Sequence, residues 1–240
     1  MKIPDFQEIL KAKKSDFAVF SSSDSSRPNP NLFYFSGYSG LGALIIPAKQ
    51  KPFLVAPEME FQRAKKSSVK QVYSMEKKRF FESVRNIIKK NKIKIRSIAI
   101  DKNNFTLNSF RHFKKQFRKS KIKDISFDSI KLRELKTEKE MQYLKKSCQY
   151  ADKILQKAIR NFKSFRTESE AAAFLEYETK KLGLGISFNP IVASGSNGSM
   201  PHHEPKNDKI KKGFCVIDFG VKYKGYCSDI TRMIYLGNPS

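Results

Sequence analysis

Apolar residues in the first half of the chain come in short runs. Residues 18–20, 43–46, 52–56, 72–73, 97–100 and 125–127 have the length and the β-branched or aromatic content of short buried strands. Between the fourth and fifth runs, Phe80, Phe81, Val84, Ile87 and Ile88 recur at three- and four-residue spacing, the stripe of an amphipathic helix. Leu107, Phe110, Phe113 and Phe117 do so more loosely. Strands alternating with helices predict an α/β domain with a mixed sheet over residues 1–130.

The pattern changes near residue 131. Thr137 and Glu140 have the spacing of a capping box, after which Met141, Leu144, Cys148, Ala151, Leu155 and Ala158 mark one apolar face of a long helix. Thr167 and Glu170 suggest a second capping box, opening a helix that runs to about residue 181 and ends at Gly183 and Gly185. From residue 187 onward the pattern is strand-like, with turns at 195–198 and around 224–225. The reading is therefore two domains, 1–130 and 131–240, without a long linker, internal repeat or low-complexity segment.

Composition refines this picture. The 240 residues suffice for two modest domains, and 39% hydrophobic content with 20 Phe supports packed cores. The net charge of +25 raises nucleic acid or an anionic membrane as partners. The basic pairs are instead scattered from Lys65-Lys66 through Lys77-Lys78 to Lys211-Lys212. That distribution favours a solvated Lys-rich surface and argues against nucleic acid. The three cysteines, Cys148, Cys215 and Cys227, are odd in number and lack CxxC spacing, so neither a disulfide framework nor a zinc finger is expected. The N-terminus lacks the apolar segment of a signal peptide and no apolar run is long enough to span a bilayer, which predicts a soluble, cytoplasmic protein.

Two carboxylates stand out. Asp218 ends the apolar run Val216-Ile217, and Asp229 precedes Ile230, with a candidate turn at 223–225 midway between them. A hairpin would put the two roughly opposite each other, with Cβ atoms about 4.5–5.5 Å apart. Like charges so placed are destabilising unless a cation lies between them or water solvates them, and oxygen ligands suit hard or borderline divalent metals. His202 and His203 follow Pro201 in a loop, where an imidazole serves as ligand, proton shuttle or hydrogen-bond donor, or simply faces solvent. Asp218-Phe219-Gly220 also spells a kinase triplet, but no Gly-rich loop, strand lysine or His-Arg-Asp loop precedes it.

Taken together, Asn189-Pro190-Ile191-Val192-Ala193-Ser194-Gly195, Pro201-His202-His203, Ile217-Asp218-Phe219-Gly220 and Gly225-Tyr226-Cys227-Ser228-Asp229-Ile230-Thr231-Arg232 closely resemble the Xaa-Pro peptidase family, the pita-bread metallopeptidases that include aminopeptidase P and Xaa-Pro dipeptidase (prolidase). Phe33-Tyr34-Phe35-Ser36-Gly37-Tyr38-Ser39-Gly40 resembles its creatinase-type N-terminal domain. The resemblance implies a creatinase-like α/β domain over 1–130 and the first half of a pita-bread domain over 131–240. It implies that Asp218 binds one of two divalent ions (Mn or Co foremost, Zn or Fe as alternatives) and that Asp229 bridges both. His202 would act catalytically on the substrate, and His203 would be a further substrate contact. The metals would polarise the scissile carbonyl and supply the water nucleophile, on peptides with proline as second residue.

The family's metal centre has five protein ligands: two Asp, one His and two Glu. The His and both Glu come from the second half of the pita-bread domain, and no histidine follows His203 here. The expectation is therefore one part of a split or truncated enzyme. It would be inactive alone, completed by a C-terminal half chain, and homo-oligomeric when whole. Two other readings are a non-catalytic pita-bread module that binds peptides or histones, and a basic nucleic-acid-binding protein. Retention of both Asp and of His202 favours the peptidase.

Overall fold

The computed structural model describes residues 2–24, 28–75 and 79–237. Lys77 and Lys78 of the basic pairs and the last three residues, 238–240, lie outside them. The chain forms two compact units, divided between Leu135 and Lys136.

The first unit runs α1 (Ile3–Ala12), β1 (Phe17–Ser22), α2 (Pro30–Ser36), β2 (Gly42–Pro47), β3 (Phe53–Ala56), α3 (Glu58–Lys65), β4 (Gln71–Ser74), α4 (Phe80–Lys90), β5 (Ser97–Ile100), α5 (Leu107–Gln116), β6 (Lys121–Asp124) and α6 (Ser126–Glu134). Its six strands form one sheet in the order β4-β3-β2-β1-β5-β6. The β1–β2 and β2–β3 pairs are antiparallel, while β1–β5, β3–β4 and β5–β6 are parallel. The sheet is mixed, as the alternating pattern predicted. Both faces are buried, which is why its central strands read as unbroken apolar runs. Ala18, Phe20, Leu44, Ile46 and Leu54 pack with Phe6, Leu10, Leu32 and Phe35 of α1 and α2. The alternate residues Val19, Ile45, Val55, Ile98 and Ile100 pack with Val84, Ile87, Ile88 and Phe113 of α4 and α5.

One expectation for this unit fails. Residues 125–127 are not a strand: β6 is the preceding Lys-Ile-Lys-Asp stretch. Asp124 Oδ1 accepts the backbone N–H of Ser126 at 2.9 Å and its hydroxyl at 2.6 Å, turning the chain into α6. The boundary near 130 falls inside α6, whose Leu132 packs on the first unit's core and whose Arg133 donates to Asn31 Oδ1 at 3.2 Å. The helix thus belongs to the first unit.

The second unit runs α7 (Glu138–Arg160), α8 (Glu168–Lys181), β7 (Gly185–Ile186), β8 (Ile191–Ser194), β9 (Gly213–Phe219), β10 (Val221–Tyr223), β11 (Tyr226–Cys227) and β12 (Ile230–Leu236). Its strands form two small antiparallel sheets, β11-β10-β7 and β12-β9-β8. The capping box at α7 forms in full: Thr137 Oγ1 accepts Glu140 N–H at 3.3 Å, and Glu140 Oε2 accepts Thr137 N–H at 2.7 Å. The one at α8 forms by half. Thr167 accepts Glu170 N–H, but Glu170 accepts from Arg166 N–H instead of Thr167. The expected apolar face of α7 is buried at Ala151, Leu155 and Ala158, but its first half buries a different set. Met141 and Cys148 are exposed, while the buried Ser147 donates to Val221 O at 2.5 Å and Glu140 accepts from Tyr226 Oη at 2.8 Å. Those bonds tie α7 to the β10–β11 hairpin.

Candidate metal centre and the open sheet face

The β8-β9-β12 sheet has two unlike sides. Cys215, Ile217 and Phe219 of β9 point into a core with Ala151, Leu155 and Leu175 of α7 and α8. The alternating residues Phe214, Val216 and Asp218 lie on the other side. The register extends that side across three strands, with Ile191, Asp218 and Thr231 in one row and Ala193, Val216 and Met233 in the next. Phe214 and Tyr235 form a third row, their rings edge-on at 5.2 Å. Phe214 and Met233 are 62% and 61% exposed. Asp218 therefore stands at the end of an open apolar face.

The two carboxylates meet, but not as direct partners. Residue 218 faces Thr231, whose hydroxyl donates to Asp218 Oδ1 at 2.8 Å. Asp229 is the diagonal neighbour, two positions before Thr231 and just ahead of β12. The reason is the turn. Lys224 and Gly225 both have positive φ, 50° and 86°, the signature of a two-residue type I′ hairpin turn. With Tyr223 paired to Tyr226 and Lys222 to Cys227, the register runs on to place 218 opposite 231. Between β11 and β12, Val221 N–H bonds the Ser228 hydroxyl at 3.0 Å rather than a backbone carbonyl. Beside it, a Cβ on Gly220 would lie 2.1 Å from Ser228 O, so only glycine fits. The Asp229 carboxyl is raised above its usual range by desolvation at the sheet, by the charge of Asp218 and by a hydrogen bond between the two acids.

Two carboxylates forced together, with a hydroxyl beside them, are a donor set for a hard divalent cation. They are a partial one: among the described residues no group of three or more His, Cys, Asp or Glu converges.

The two histidines separate. His202 is exposed. His203, expected as a second substrate contact, is 4% exposed, with its Nε2 2.7 Å from Glu168 Oε2. Its ring is committed to the interior because Glu168, 1% exposed, needs donors. Glu168 also accepts from Ser194 N–H at 2.7 Å, Ser194 Oγ at 2.8 Å and Asn197 Nδ2 at 3.0 Å. Burial works against its charge, but the bonds from Ser194, Asn197 and His203 outweigh it and hold the carboxyl at about 2. An ionised carboxylate only accepts, so His203 Nε2 carries the proton. Glu168 thus pins the end of β8, the 195–199 turn and the loop bearing His202. Sequence reasoning passed it over as part of a helix start. The available signal was its place on the buried stripe Glu168, Ala171, Ala172, Leu175, where an acid calls for partners.

Residues 2–135 match the creatinase/prolidase N-terminal domain, and residues 142–240 match metallopeptidase family M24. The chain belongs to this peptidase family. It is 30% identical, over its whole length, to an uncharacterized peptidase of Staphylococcus epidermidis and covers 67% of that protein. It is 34% identical to a Xaa-Pro dipeptidase of Pyrococcus furiosus over 88% of this chain and 59% of the dipeptidase. The structure superposes on the X-Pro aminopeptidase of Thermotoga maritima with a TM-score of 0.85 at 28% identity, covering 98% of this chain and 66% of that one. The chain thus spans about two thirds of the length of the family members it matches. The expected architecture, a creatinase-type domain followed by part of a pita-bread domain, is the one found. No helix among the described residues is long and apolar enough to cross a membrane.

Proposed function

We propose that this chain carries the N-terminal part of a dinuclear metallopeptidase that cleaves Xaa-Pro bonds. The meeting of Asp218 and Asp229 at the edge of the open sheet face carries the reading. Asp218 and Asp229 would hold divalent metal, Mn or Co foremost, with the remaining ligands supplied by a C-terminal portion beyond these residues. Bound there, the metal would activate water and polarise the scissile carbonyl. The chain's own side chains do the positioning. Thr231 orients Asp218 through its hydroxyl, and Ser228 and Gly220 fix the strand that presents Asp229. Glu168 anchors the loop from which His202 would reach a peptide with proline as second residue, and His203 serves that anchor. The apolar rows Val216/Met233 and Phe214/Tyr235 would be covered by the C-terminal portion. The setting would be cytoplasmic.

The test uses the 240-residue chain by itself and together with the C-terminal third of the Pyrococcus furiosus dipeptidase. Alone, the chain should take up Mn²⁺ only weakly, with a Kd on the order of millimolar, and should not hydrolyse a Xaa-Pro dipeptide. With the added segment, Mn²⁺ uptake should become tight and hydrolysis should appear, and Asp218→Asn should abolish both. Turnover by the chain alone would refute the need for a C-terminal part. Full Mn²⁺ uptake by the Asp218→Asn complex would refute the assignment of that ligand.

A further inference from the structure

A second feature of the second unit lies outside this chemistry. A groove of about 570 Å³ is lined by Lys163, Arg166, Lys209, Lys211 and Lys212, with Phe162, Phe165, Ile210 and Leu236 as its apolar part. It sits by Leu236, which pairs with Gly213, whereas Thr231 pairs with Asp218. The groove is thus five residues, roughly 17 Å at about 3.4 Å per residue, along the ladder from the carboxylates.

Its cations are held together by backbone bonds. Thr167 bridges Lys209 in antiparallel fashion, and Ile210 N–H donates to Arg166 O at 2.9 Å. Lys211 N–H donates to Ser194 Oγ at 3.1 Å, and its Nζ reaches Ser196 Oγ at 3.3 Å. Like charges so gathered repel one another, and among the described residues no carboxylate lines the groove. Among the described residues, none of the five forms an ion pair. The nearest acids in sequence are otherwise placed: Glu170 caps Arg166 N–H, Glu168 is buried in its own network, and Asp208 is exposed outside the lining. In this groove the positive charge is concave and backed by apolar side chains.

We propose that this groove binds a compact polyanion of two or three linked phosphates, carried by a nucleotide or by inorganic oligophosphate. The volume is that of a small-molecule site and is too small to seat a nucleic-acid duplex. Five cations in one groove match the three or four negative charges of a di- or triphosphate better than the charge of a monophosphate. The apolar wall of Phe165, Ile210 and Leu236 gives a nucleoside a surface to lie on.

The test is titration calorimetry of the metal-free chain with sodium tripolyphosphate, adenosine triphosphate and inorganic monophosphate. Both triphosphates should bind one to one, at least tenfold tighter than monophosphate, and should weaken with added NaCl. Tighter binding of the nucleotide than of tripolyphosphate identifies the nucleoside as part of the ligand; equal binding identifies the phosphates alone. The variant Lys209→Gln/Lys212→Gln should lose at least tenfold in affinity, while Lys89→Gln/Lys90→Gln, on α4, should bind like the parent. Equal losses in the two variants would overturn the proposal, because net charge and not the groove would then be responsible. So would equal binding of mono- and triphosphate, or an oligonucleotide that binds without displacement by triphosphate.

Discussion

Glu168 fixes the segments around the candidate site, although its hydrogen bonds include neither Asp218 nor Asp229. It is 1% exposed and receives bonds from Ser194, Asn197 and His203. A carboxylate with that many donors keeps its charge in the interior because the donors replace the water it gave up. Its carboxyl lies at about 2, below the usual 4.5. The folded state therefore favours the ionised form. That contribution is complete above about pH 4.5 and is lost as pH falls from there toward 2. Glu168→Gln removes the charge and leaves donors facing one another, so it should cost about 3 kcal/mol at pH 7. Denaturation followed by circular dichroism at pH 7 and pH 3 checks this. The gap between parent and variant should be wide at neutral pH and should narrow markedly in acid. An unchanged gap at pH 3 would mean that the variant acts through packing alone.

At the scale of elements, the hairpin register decides how Asp218 and Asp229 are offset, and the turn decides the register. Gly225 sits at φ 86°, where a Cβ meets the following carbonyl oxygen. Gly225→Ala should destabilise the hairpin by about 1–2 kcal/mol. In the complemented enzyme it should also weaken Mn²⁺ binding, since the offset between Asp218 and Asp229 depends on this turn. Denaturation and Mn²⁺ titration of the same variant measure the two effects. Here the limits of sequence reading become physical. Strands buried on both faces, such as β1, β2 and β5, announce themselves as apolar runs. β6 does not, because its Lys-Ile-Lys-Asp is an edge strand half in solvent, and the apolar run that stands out begins one residue beyond it at Ile125. The hairpin and both acids were visible, but their pairing was not. A turn placed one residue earlier pairs a different residue with Asp218, and composition alone does not separate a two-residue turn at 224–225 from a three-residue one at 223–225. The partner of His203 was hidden for another reason: Glu168 lies 35 positions away, beyond any local pattern.

At the scale of the whole molecule, the open face of the β8-β9-β12 sheet links the chain's length to its chemistry. Soluble proteins rarely leave contiguous apolar rows uncovered, and those that do use them as contacts. Here Phe214, Met233 and Tyr235 are exposed in a chain that spans about two thirds of its matched relatives. Met233 is 61% exposed and Tyr235 44%, so neither contributes much to the packing of this unit. The double substitution Met233→Lys/Tyr235→Lys should therefore leave its stability within about 0.5 kcal/mol of the parent. It should nevertheless reduce binding of an apolar fluorescent dye by more than half. It should also abolish hydrolysis restored by an added C-terminal segment, because the lysines would be trapped without partners beneath whatever covers this face. The three readings separate the possible causes. A loss of stability would show that the face is already packed within the chain. Unchanged dye binding would place the exposed apolar surface elsewhere. Full restoration of activity would mean that the C-terminal portion docks on some other surface, leaving Asp218 and Asp229 to be completed from the side of β12 rather than from above the sheet.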